Sequence, residues 1–241
     1  MIPRLYSPRP LSGDSAVLGD EAAHHVTRVL RLRDGDAVLL FDGSGGEWPG
    51  VLRASGRGLS VALGGWRDVE REARLAVTLA QALPAGDKMD WVVQKAVELG
   101  AAALQPLETR RSVVRLAGER AAKRARHWQQ VAVAACEQCG RNRVPTVAGI
   151  LELSDYLAAV RQEDSCRLLL SPRGAVRLAT LPPPHGPLTL LIGPEGGLDE
   201  GEEDLARLAG FQAITLGPRV LRSETAGLAA IAAIMALWGD F

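Results

Sequence analysis

Hydrophobic and polar residues follow one spacing in the first 70 residues and another in the rest of the chain. The first part contains short apolar runs that are separated by turn residues, at Ala37–Phe41, Trp48–Leu52 and Leu59–Leu63. Turns at such close spacing are typical of a small β-barrel. Val26 and Val29 lie at helical spacing and predict one helix, over His24–Leu32, among these strands.

After a charged linker at 67–72, apolar strands alternate with amphipathic helices, which predicts an α/β domain with a parallel sheet. The predicted strands are Leu75–Leu83, Arg167–Leu170, Leu188–Ile192 and Phe211–Leu216. The predicted helices are Asp87–Gly100 with Asp87 as its cap, Glu119–Cys139, Glu200–Leu208 and Glu224–Trp238. Asp199 and Glu202 have the spacing of a capping box. We therefore expect two domains, over 1–70 and 71–241.

Composition is that of an ordinary globular protein, with 47% hydrophobic and 23% charged residues. These values speak against a disordered, collagen-like or coiled-coil chain. The longest apolar stretch without charge, 225–239, is shorter than the roughly 20 residues that a membrane-spanning helix needs. The N-terminus lacks the apolar core of a signal peptide. We expect a cytoplasmic protein that does not contact a membrane.

Cysteine and histidine pairs suggest metal or redox chemistry at first sight. Cys136 and Cys139 fall within a predicted helix that has no second ligand pair, so packed thiols are favoured over zinc or redox function. The side chains of His24 and His25 would diverge on a helix, which favours a structural role. We expect no metal site.

Charge is balanced overall, with 28 basic and 28 acidic residues, but it is uneven along the chain. Nine basic and two acidic residues lie between Arg110 and Arg143. Such a stripe is typical either of a phosphate-binding face or of the solvated side of a helix. The sequence leaves both interpretations open.

Two loops follow buried strands and are suited to close approach of a ligand to the backbone. The first, 191–197, contains three glycines and Glu195. The second, 216–226, leads into a helix whose free N–H groups and Ser223 and Thr225 hydroxyls are available to polar atoms. A tight turn and a helix cap would also explain these residues, but loops at the ends of parallel strands are where α/β folds bind ligands.

In this order and spacing, the two loops resemble the cofactor motifs of the ribosomal RNA small subunit methyltransferase E family of the SPOUT superfamily. The resemblance extends over nearly the whole chain. It includes His24–Val26, Arg28–Arg31, Lys88, Gln94–Gly100, Pro106, Arg111–Ser112, Ala135–Arg141 and Val144–Pro145. Val220 departs from the isoleucine that is more usual in the family, which is a conservative change.

The resemblance implies a PUA-like β-barrel followed by a SPOUT methyltransferase domain with a deep trefoil knot. It implies that S-adenosylmethionine (SAM) binds in the knot, that the enzyme is a homodimer, and that it methylates N3 of a uridine in 16S ribosomal RNA of the small ribosomal subunit. The uncharged helix 225–239 has more apolar surface than one buried stripe requires. We expect Leu228, Ile231, Met235 and Trp238 to serve the partner subunit in part.

Site residues follow from the resemblance, position by position. The implied cofactor residues are Ser171, Ile192, Gly193, Glu195, Gly196, Gly197, Leu216, Gly217, Leu221, Arg222, Thr225 and Ala226. Arg222 and Glu224 are candidate catalytic residues, because a uridine anion needs positive charge at its oxygens and N3 must lose a proton. Neither Glu224 nor Glu195 is identified as the general base. The expected RNA-binding residues are Arg4, Arg28, Arg31, Arg33, Arg110, Arg111, Arg124, Arg126 and Arg141.

Two other functions stay open. One is a SPOUT methyltransferase that acts on another RNA, such as a transfer RNA. The other is a non-enzymatic module that binds ribosomal RNA during assembly, although that function would leave the glycine-rich loop unexplained.

Overall fold

The structure is a computed structural model, and it describes residues 2–55, 58–160, 165–173 and 175–241. The chain forms two compact units. Unit 1 consists of Met1–Glu72 and Cys136–Val144, and unit 2 consists of Ala73–Ala135 and Pro145–Phe241. The sequence pattern did not indicate that Cys136–Val144 groups with the N-terminal unit.

Unit 1 is built on a five-stranded sheet with the order β1-β3-β4-β5-β2. Its strands are β1 (Arg4–Tyr6), β2 (Ser15–Val17), β3 (Ala37–Phe41), β4 (Trp48–Ser55) and β5 (Gly58–Leu63). The pair β1 and β3 is parallel, and the other neighbours are antiparallel. One face of the sheet buries Leu5, Leu11, Leu18, Val26, Val38, Leu40, Leu52 and Val61.

The helical segment of unit 1 differs from the prediction. A short helix α1 (Asp20–His24) continues as a π-helix over His25–Val29, in which the N–H of Leu30 donates to the carbonyl of His25 at 3.0 Å. In this wider turn residues three apart no longer share a face. Val26 is therefore buried while Val29 is 62% exposed, so the prediction that both face the core was wrong for Val29.

The segment Cys136–Val144 is held within unit 1 by buried polar contacts. Arg4 forms an ion pair with Glu47 at 2.6 Å, and Arg141 pairs with Glu72. The thiol of Cys136 lies among these groups, and burial raises its pKa to about 12. A thiol with that pKa stays protonated near neutral pH, which is the property of a packed cysteine and not of a reactive one.

Unit 2 is built on an all-parallel sheet with the order β11-β13-β10-β12-β6-β7-β8, and β9 also pairs with β7. Its strands are β6 (Val77–Ala82), β7 (Ala103–Glu108), β8 (Thr146–Val147), β9 (Leu151–Glu152), β10 (Cys166–Leu170), β11 (Val176–Arg177), β12 (Leu188–Ile192) and β13 (Gln212–Thr215). Its helices are α2 (Lys88–Glu98), α3 (Gly118–Cys139, of which the last four residues are grouped with unit 1), α4 (Leu153–Ala159), α5 (Glu200–Leu208) and α6 (Ser223–Trp238). The mixed α/β class with a parallel sheet is confirmed.

The path of the chain across this sheet places the site. The strand β10 lies between β12 and β13, so the carboxyl ends of three neighbouring strands meet at one edge. From β13 the chain returns across that edge to α6, which packs on β6, β12 and α2. The trefoil knot stays a prediction.

Local packing corrects two expectations in unit 2. Asp87 precedes α2 without capping it, and its carboxylate instead pairs with Arg124 at 2.8 Å. Leu228, Ile231 and Met235 are buried within this chain, so the expectation that they serve a partner subunit was wrong. The capping box at Asp199 and Glu202 is present. Among the described residues, no helix has both the length and the apolar character that crossing a membrane requires.

Candidate functional site

Three loops at the carboxyl edge of the parallel sheet enclose a cleft of about 770 Å³. They follow β10, β12 and β13, and they contribute 171–173, 193–198 and 216–222 respectively. Ligands of open α/β sheets bind at this edge, where neighbouring strands diverge. The cleft is the place in unit 2 where a cofactor would be expected.

Nearly all of the expected cofactor residues line this cleft. They are Ser171, Ile192, Gly193, Glu195, Gly196, Gly197, Leu216, Gly217, Leu221, Arg222 and Ala226. Thr225 does not line it and is exposed, while its N–H donates to the carbonyl of Arg222 at 2.9 Å. We therefore leave Thr225 out of the proposed site, because its side chain lies on the outer side of the first turn of α6.

The glycine loop after β12 is packed closely, and one of its positions leaves little room for a side chain. A Cβ atom at Gly193 would lie 3.0 Å from the backbone nitrogen of Leu198 and 3.3 Å from the carbonyl carbon of Gly197. A Cβ atom at Gly196 would lie at an ordinary 3.5 Å from the side chain of Arg111. A side chain at Gly193 therefore needs the facing backbone to shift by a few tenths of an ångström, whereas Gly196 lies where the loop meets Arg111.

A buried hydrogen-bond chain connects the two loops that the sequence singled out. Ser223 Oγ donates to the carbonyl of Gly193 at 2.7 Å and accepts from Gln81 Nε2 at 3.0 Å. Gln81 is fully buried near the end of β6. The Ser223 hydroxyl was predicted to be available to a ligand, but it donates its hydrogen bond to the glycine loop.

Two carboxylates of the site share the ammonium group of Lys88. Glu224 Oε1 lies 2.9 Å from Lys88 Nζ, and Glu195 Oε1 lies 3.8 Å from it. Glu195 also accepts the N–H of Ala85 at 2.8 Å. Desolvation alone would raise the pKa of Glu224, but the hydrogen bond and charge of Lys88, a backbone hydrogen bond and the charge of Arg222 together outweigh it, and the pKa of Glu224 lies below its usual range. A carboxylate of lowered pKa is a weak proton acceptor.

Arg110 and Arg111, expected to bind RNA, contact the cofactor loop region instead. Arg111 lines the cleft and donates to the carbonyls of Gly196 and Leu198 at 2.9 and 3.3 Å. Arg110 pairs with Asp199 at 3.0 Å. Both arginines follow β7, a strand that was not predicted, and the carboxyl end of β7 faces the same edge of the sheet.

Sequence analysis missed Glu203, which lines the cleft from α5. Its Oε1 accepts the Ser171 hydroxyl at 3.1 Å, and its Oε2 lies 3.3 Å from Arg207. Its position on an amphipathic helix gives no sign of this contact, since the partner Ser171 is 32 residues away.

The remaining seven arginines that were expected to bind RNA differ in burial and in pairing. Arg4 and Arg141 have side chains that are 7% and 6% exposed and paired with carboxylates. A buried and paired guanidinium does not reach a phosphate, so we correct the expectation for both residues. The exposed ones without an ion pair among the described residues are Arg28, Arg31, Arg33 and Arg126. Arg124 is half-exposed and pairs with Asp87.

Two family models match the chain. An RNA methyltransferase domain matches residues 71–235, and an RNA methyltransferase PUA domain matches residues 18–62. A curated relative, ribosomal RNA small subunit methyltransferase E of Bacillus subtilis, is 34% identical over 91% of this chain and 88% of its own length. The chain belongs to the ribosomal RNA small subunit methyltransferase E family.

Other members of this family are similar over comparable lengths. The enzyme of Synechocystis is 34% identical over 96% of this chain and 76% of its own length. The crystal structure of the Neisseria gonorrhoeae enzyme, bound to S-adenosyl methionine, is 42% identical, with a TM-score of 0.94 and full coverage of both chains. The predicted family and the class of RNA methyltransferase are confirmed, and this argues against a non-enzymatic module.

Proposed function

We propose that this family member transfers a methyl group from SAM to N3 of a uridine in 16S ribosomal RNA of the small ribosomal subunit. The observation that carries the proposal is the cleft, because eleven of the residues implied by the family motifs line it. The SAM-bound Neisseria gonorrhoeae relative, 42% identical to this chain, supports the choice of cofactor.

The residues of the cleft fit SAM in size and in character. The volume, about 770 Å³, is within the range of small-molecule sites. Backbone groups of the glycine loop would be available to the polar atoms of SAM, while Ile192 and Leu221 provide apolar surface. When bound, SAM supplies a methyl group on a positively charged sulfur, which is already activated for transfer.

Arg222 is the proposed catalytic residue with the clearest role. It lines the cleft, is exposed, and forms no ion pair among the described residues. A guanidinium at this place would stabilise the negative charge that develops on the uracil oxygens as N3 loses its proton. Glu224 is a weak proton acceptor, so its proposed part is to hold the start of α6, and no general base is assigned.

The proposed RNA surface comprises exposed arginines in each unit. In unit 1 these are Arg28, Arg31 and Arg33, of which Arg31 has a φ of 56°. A residue other than glycine in this region stores strain, which is common where a loop is shaped for binding. In unit 2 Arg126 is exposed and forms no ion pair among the described residues, while Arg110 and Arg124 pair with Asp199 and Asp87 and Arg111 donates to backbone carbonyls.

We further propose that the enzyme is a homodimer and that it acts in the cytoplasm. We also propose that unit 2 contains a trefoil knot and that the domain boundary lies between residues 70 and 71. An apolar surface supports the dimer: α2 and α6 pack together and leave Trp91 and Leu237 47% exposed each. Light scattering at assay concentration tests the dimer, and a monomeric mass with full activity would contradict it.

Mapping the methylated nucleotide tests the proposed function. Small subunits from cells that lack this protein are incubated with the pure enzyme and SAM, and the 16S RNA is digested and analysed by mass spectrometry. We expect one added methyl group on N3 of one uridine. Methylation of transfer RNA, with none on 16S RNA, would favour the other SPOUT substrate class.

A further inference from the structure

Lys88, the first residue of α2, lies between the two loops of the cofactor cleft. Its ammonium group is 2.9 Å from Glu224, at the start of α6, and 3.8 Å from Glu195, in the glycine loop. Glu195 belongs to the loop that follows β12, and Glu224 belongs to the first turn of α6, directly after the loop 216–222 that also lines the cleft. One cation therefore contacts both segments from outside the cleft, since Lys88 does not line it.

Burial distinguishes this pair from an ordinary surface ion pair. The side chain of Glu224 is 13% exposed, and its Oε2 atom is buried without a hydrogen-bond partner among the described residues. No other described residue forms an ion pair with Glu224. Exposed ion pairs contribute about 0–1 kcal/mol, whereas a largely buried carboxylate that loses its cation is strongly destabilised. Glu224 therefore depends on Lys88.

Glu195 is held by two groups, in contrast to Glu224. The N–H of Ala85, in the loop that precedes α2, donates to the same Oε1 atom at 2.8 Å that Lys88 approaches. Loss of Lys88 would leave the glycine loop tied to Ala85 but would remove the cation that holds Glu224 at the start of α6. The polar contacts between the two segments would then be reduced to the Gln81–Ser223–Gly193 hydrogen bonds, while the packing of α6 on β6 and β12 remains.

We propose that Lys88 is a positioning residue that couples the two loops and thereby sets the affinity for SAM. The inference rests on the proposed cofactor cleft. It predicts that Lys88→Met weakens SAM binding about tenfold, the size expected for losing one hydrogen bond to a charged group. Lys88→Arg keeps the positive charge and restores most of the affinity.

The same helix provides a matched control. Lys95 pairs with Glu98 at 2.8 Å, with side chains that are 36% and 26% exposed, and neither residue contacts the cleft. Lys95→Met removes a comparable cation from α2, so it measures the effect of lost charge and helix propensity. We expect its SAM affinity to equal that of the wild type.

Calorimetric titration of SAM into the full chain compares the wild type, Lys88→Met, Lys88→Arg and Lys95→Met. Glu224→Gln and the double variant with Lys88→Met complete a thermodynamic cycle, and Glu224→Gln replaces Lys88→Met in the comparison if the latter does not fold. We expect Glu224→Gln to weaken binding as well, and the double variant to lose less than the sum of the two single losses.

Each outcome separates positioning from its alternatives. Wild-type affinity in Lys88→Met, an equal loss in Lys95→Met, or additive losses in the cycle would overturn the inference. Failure of the proposed cofactor cleft is a different result, since the wild type would then show no SAM binding, and failure of the proposed RNA substrate would show in the nucleotide mapping and leave these affinities unchanged. A thermal scan of each free variant separates unfolding from weaker binding.

Discussion

Gln81 and Ser223 are 142 residues apart in the sequence and share a buried hydrogen bond of 3.0 Å. The Ser223 hydroxyl donates a second hydrogen bond, to the carbonyl of Gly193. This arrangement joins the first strand of unit 2, its last helix and its glycine loop through one hydroxyl group. The cofactor cleft thus owes its shape to residues that do not themselves carry the family's glycine motif.

Ser223→Ala removes this hydroxyl. The substitution leaves the Gln81 amide and the Gly193 carbonyl without their partner, at a cost of about 1–3 kcal/mol. We expect a melting temperature lower by roughly 2–9 °C in thermal scans, together with weaker SAM binding. Thr225→Ala, which removes an exposed hydroxyl two residues away, is the control and should change neither quantity.

Gly193→Ala and Gly196→Ala should differ although both add one methyl group to the same loop. At Gly193 the methyl meets backbone atoms at 3.0 and 3.3 Å, so the turn must open. At Gly196 it meets the flexible side chain of Arg111 at 3.5 Å. We expect calorimetry to show SAM affinity lowered at least tenfold by the first change and about twofold at most by the second. Equal effects would show that the turn does not set the affinity.

The periodic elements were predictable because their burial patterns are local. The strand Leu188–Ile192 and the helix Glu200–Leu208 have the predicted bounds. The roles of individual arginines were not predictable, since the carboxylate that pairs with Arg4 is 43 residues away and the one that pairs with Arg141 is 69 residues away. A charge count along the chain does not show which cations are already neutralised.

The site also contains some residues that were predictable from the sequence and others that were not. The glycine loop could be recognised from residue types that permit close backbone approach, whereas Gln81 and Glu203 carry no local signal. Both are polar residues at positions that would suit apolar ones, and their partners become neighbours only after the sheet has formed. The π-helix at His25–Val29 was missed because hydrophobic spacing does not reveal a change of hydrogen-bond register.

Glu47 should make unit 1 sensitive to acid. Desolvation raises its pKa, but the hydrogen bond and charge of Arg4 outweigh this, and the pKa of Glu47 lies below its usual range. The native state therefore favours the carboxylate, and this stabilisation is present at neutral pH and lost as pH falls below about 4.3 through the folded-state value. Glu47→Gln should cost about 3 kcal/mol at pH 7 in urea unfolding. The difference in the free energy of unfolding between Glu47→Gln and the wild type should disappear in acid, where Glu47 is protonated.

Glu137 should behave in the opposite way. Burial raises its pKa, although the N–H of Tyr6 donates to its Oε1 atom at 2.8 Å. Stability from this group is present at low pH, where it is protonated, and is lost as pH rises through the raised pKa. Glu137→Gln keeps the acceptor for Tyr6 and should raise the melting temperature at pH 7. A lower melting temperature at pH 7 would contradict this assignment.

RNA affinity should depend on the free arginines of unit 1. Replacing Arg28 and Arg33 by glutamine should reduce the slope of log affinity against log salt by roughly 0.7 to 0.9 for each phosphate contact that is lost. Arg124→Gln, which removes a guanidinium already paired with Asp87, should leave the slope unchanged. Filter binding of 16S RNA fragments at several salt concentrations measures both. If Arg124→Gln reduces the slope and the replacement of Arg28 and Arg33 does not, the RNA path lies along α3.

The return of the chain from β13 to α6 also bears on how the protein is made. Gln81, in the first strand of unit 2, is synthesised 142 residues before Ser223, which begins the helix that covers β6. Until that helix emerges from the exit tunnel, the apolar face of β6 and β12 is uncovered and the glycine loop lacks its anchor. Domains fold as units during synthesis, so the cofactor cleft takes its final shape only once α6 has been made and has docked on the sheet.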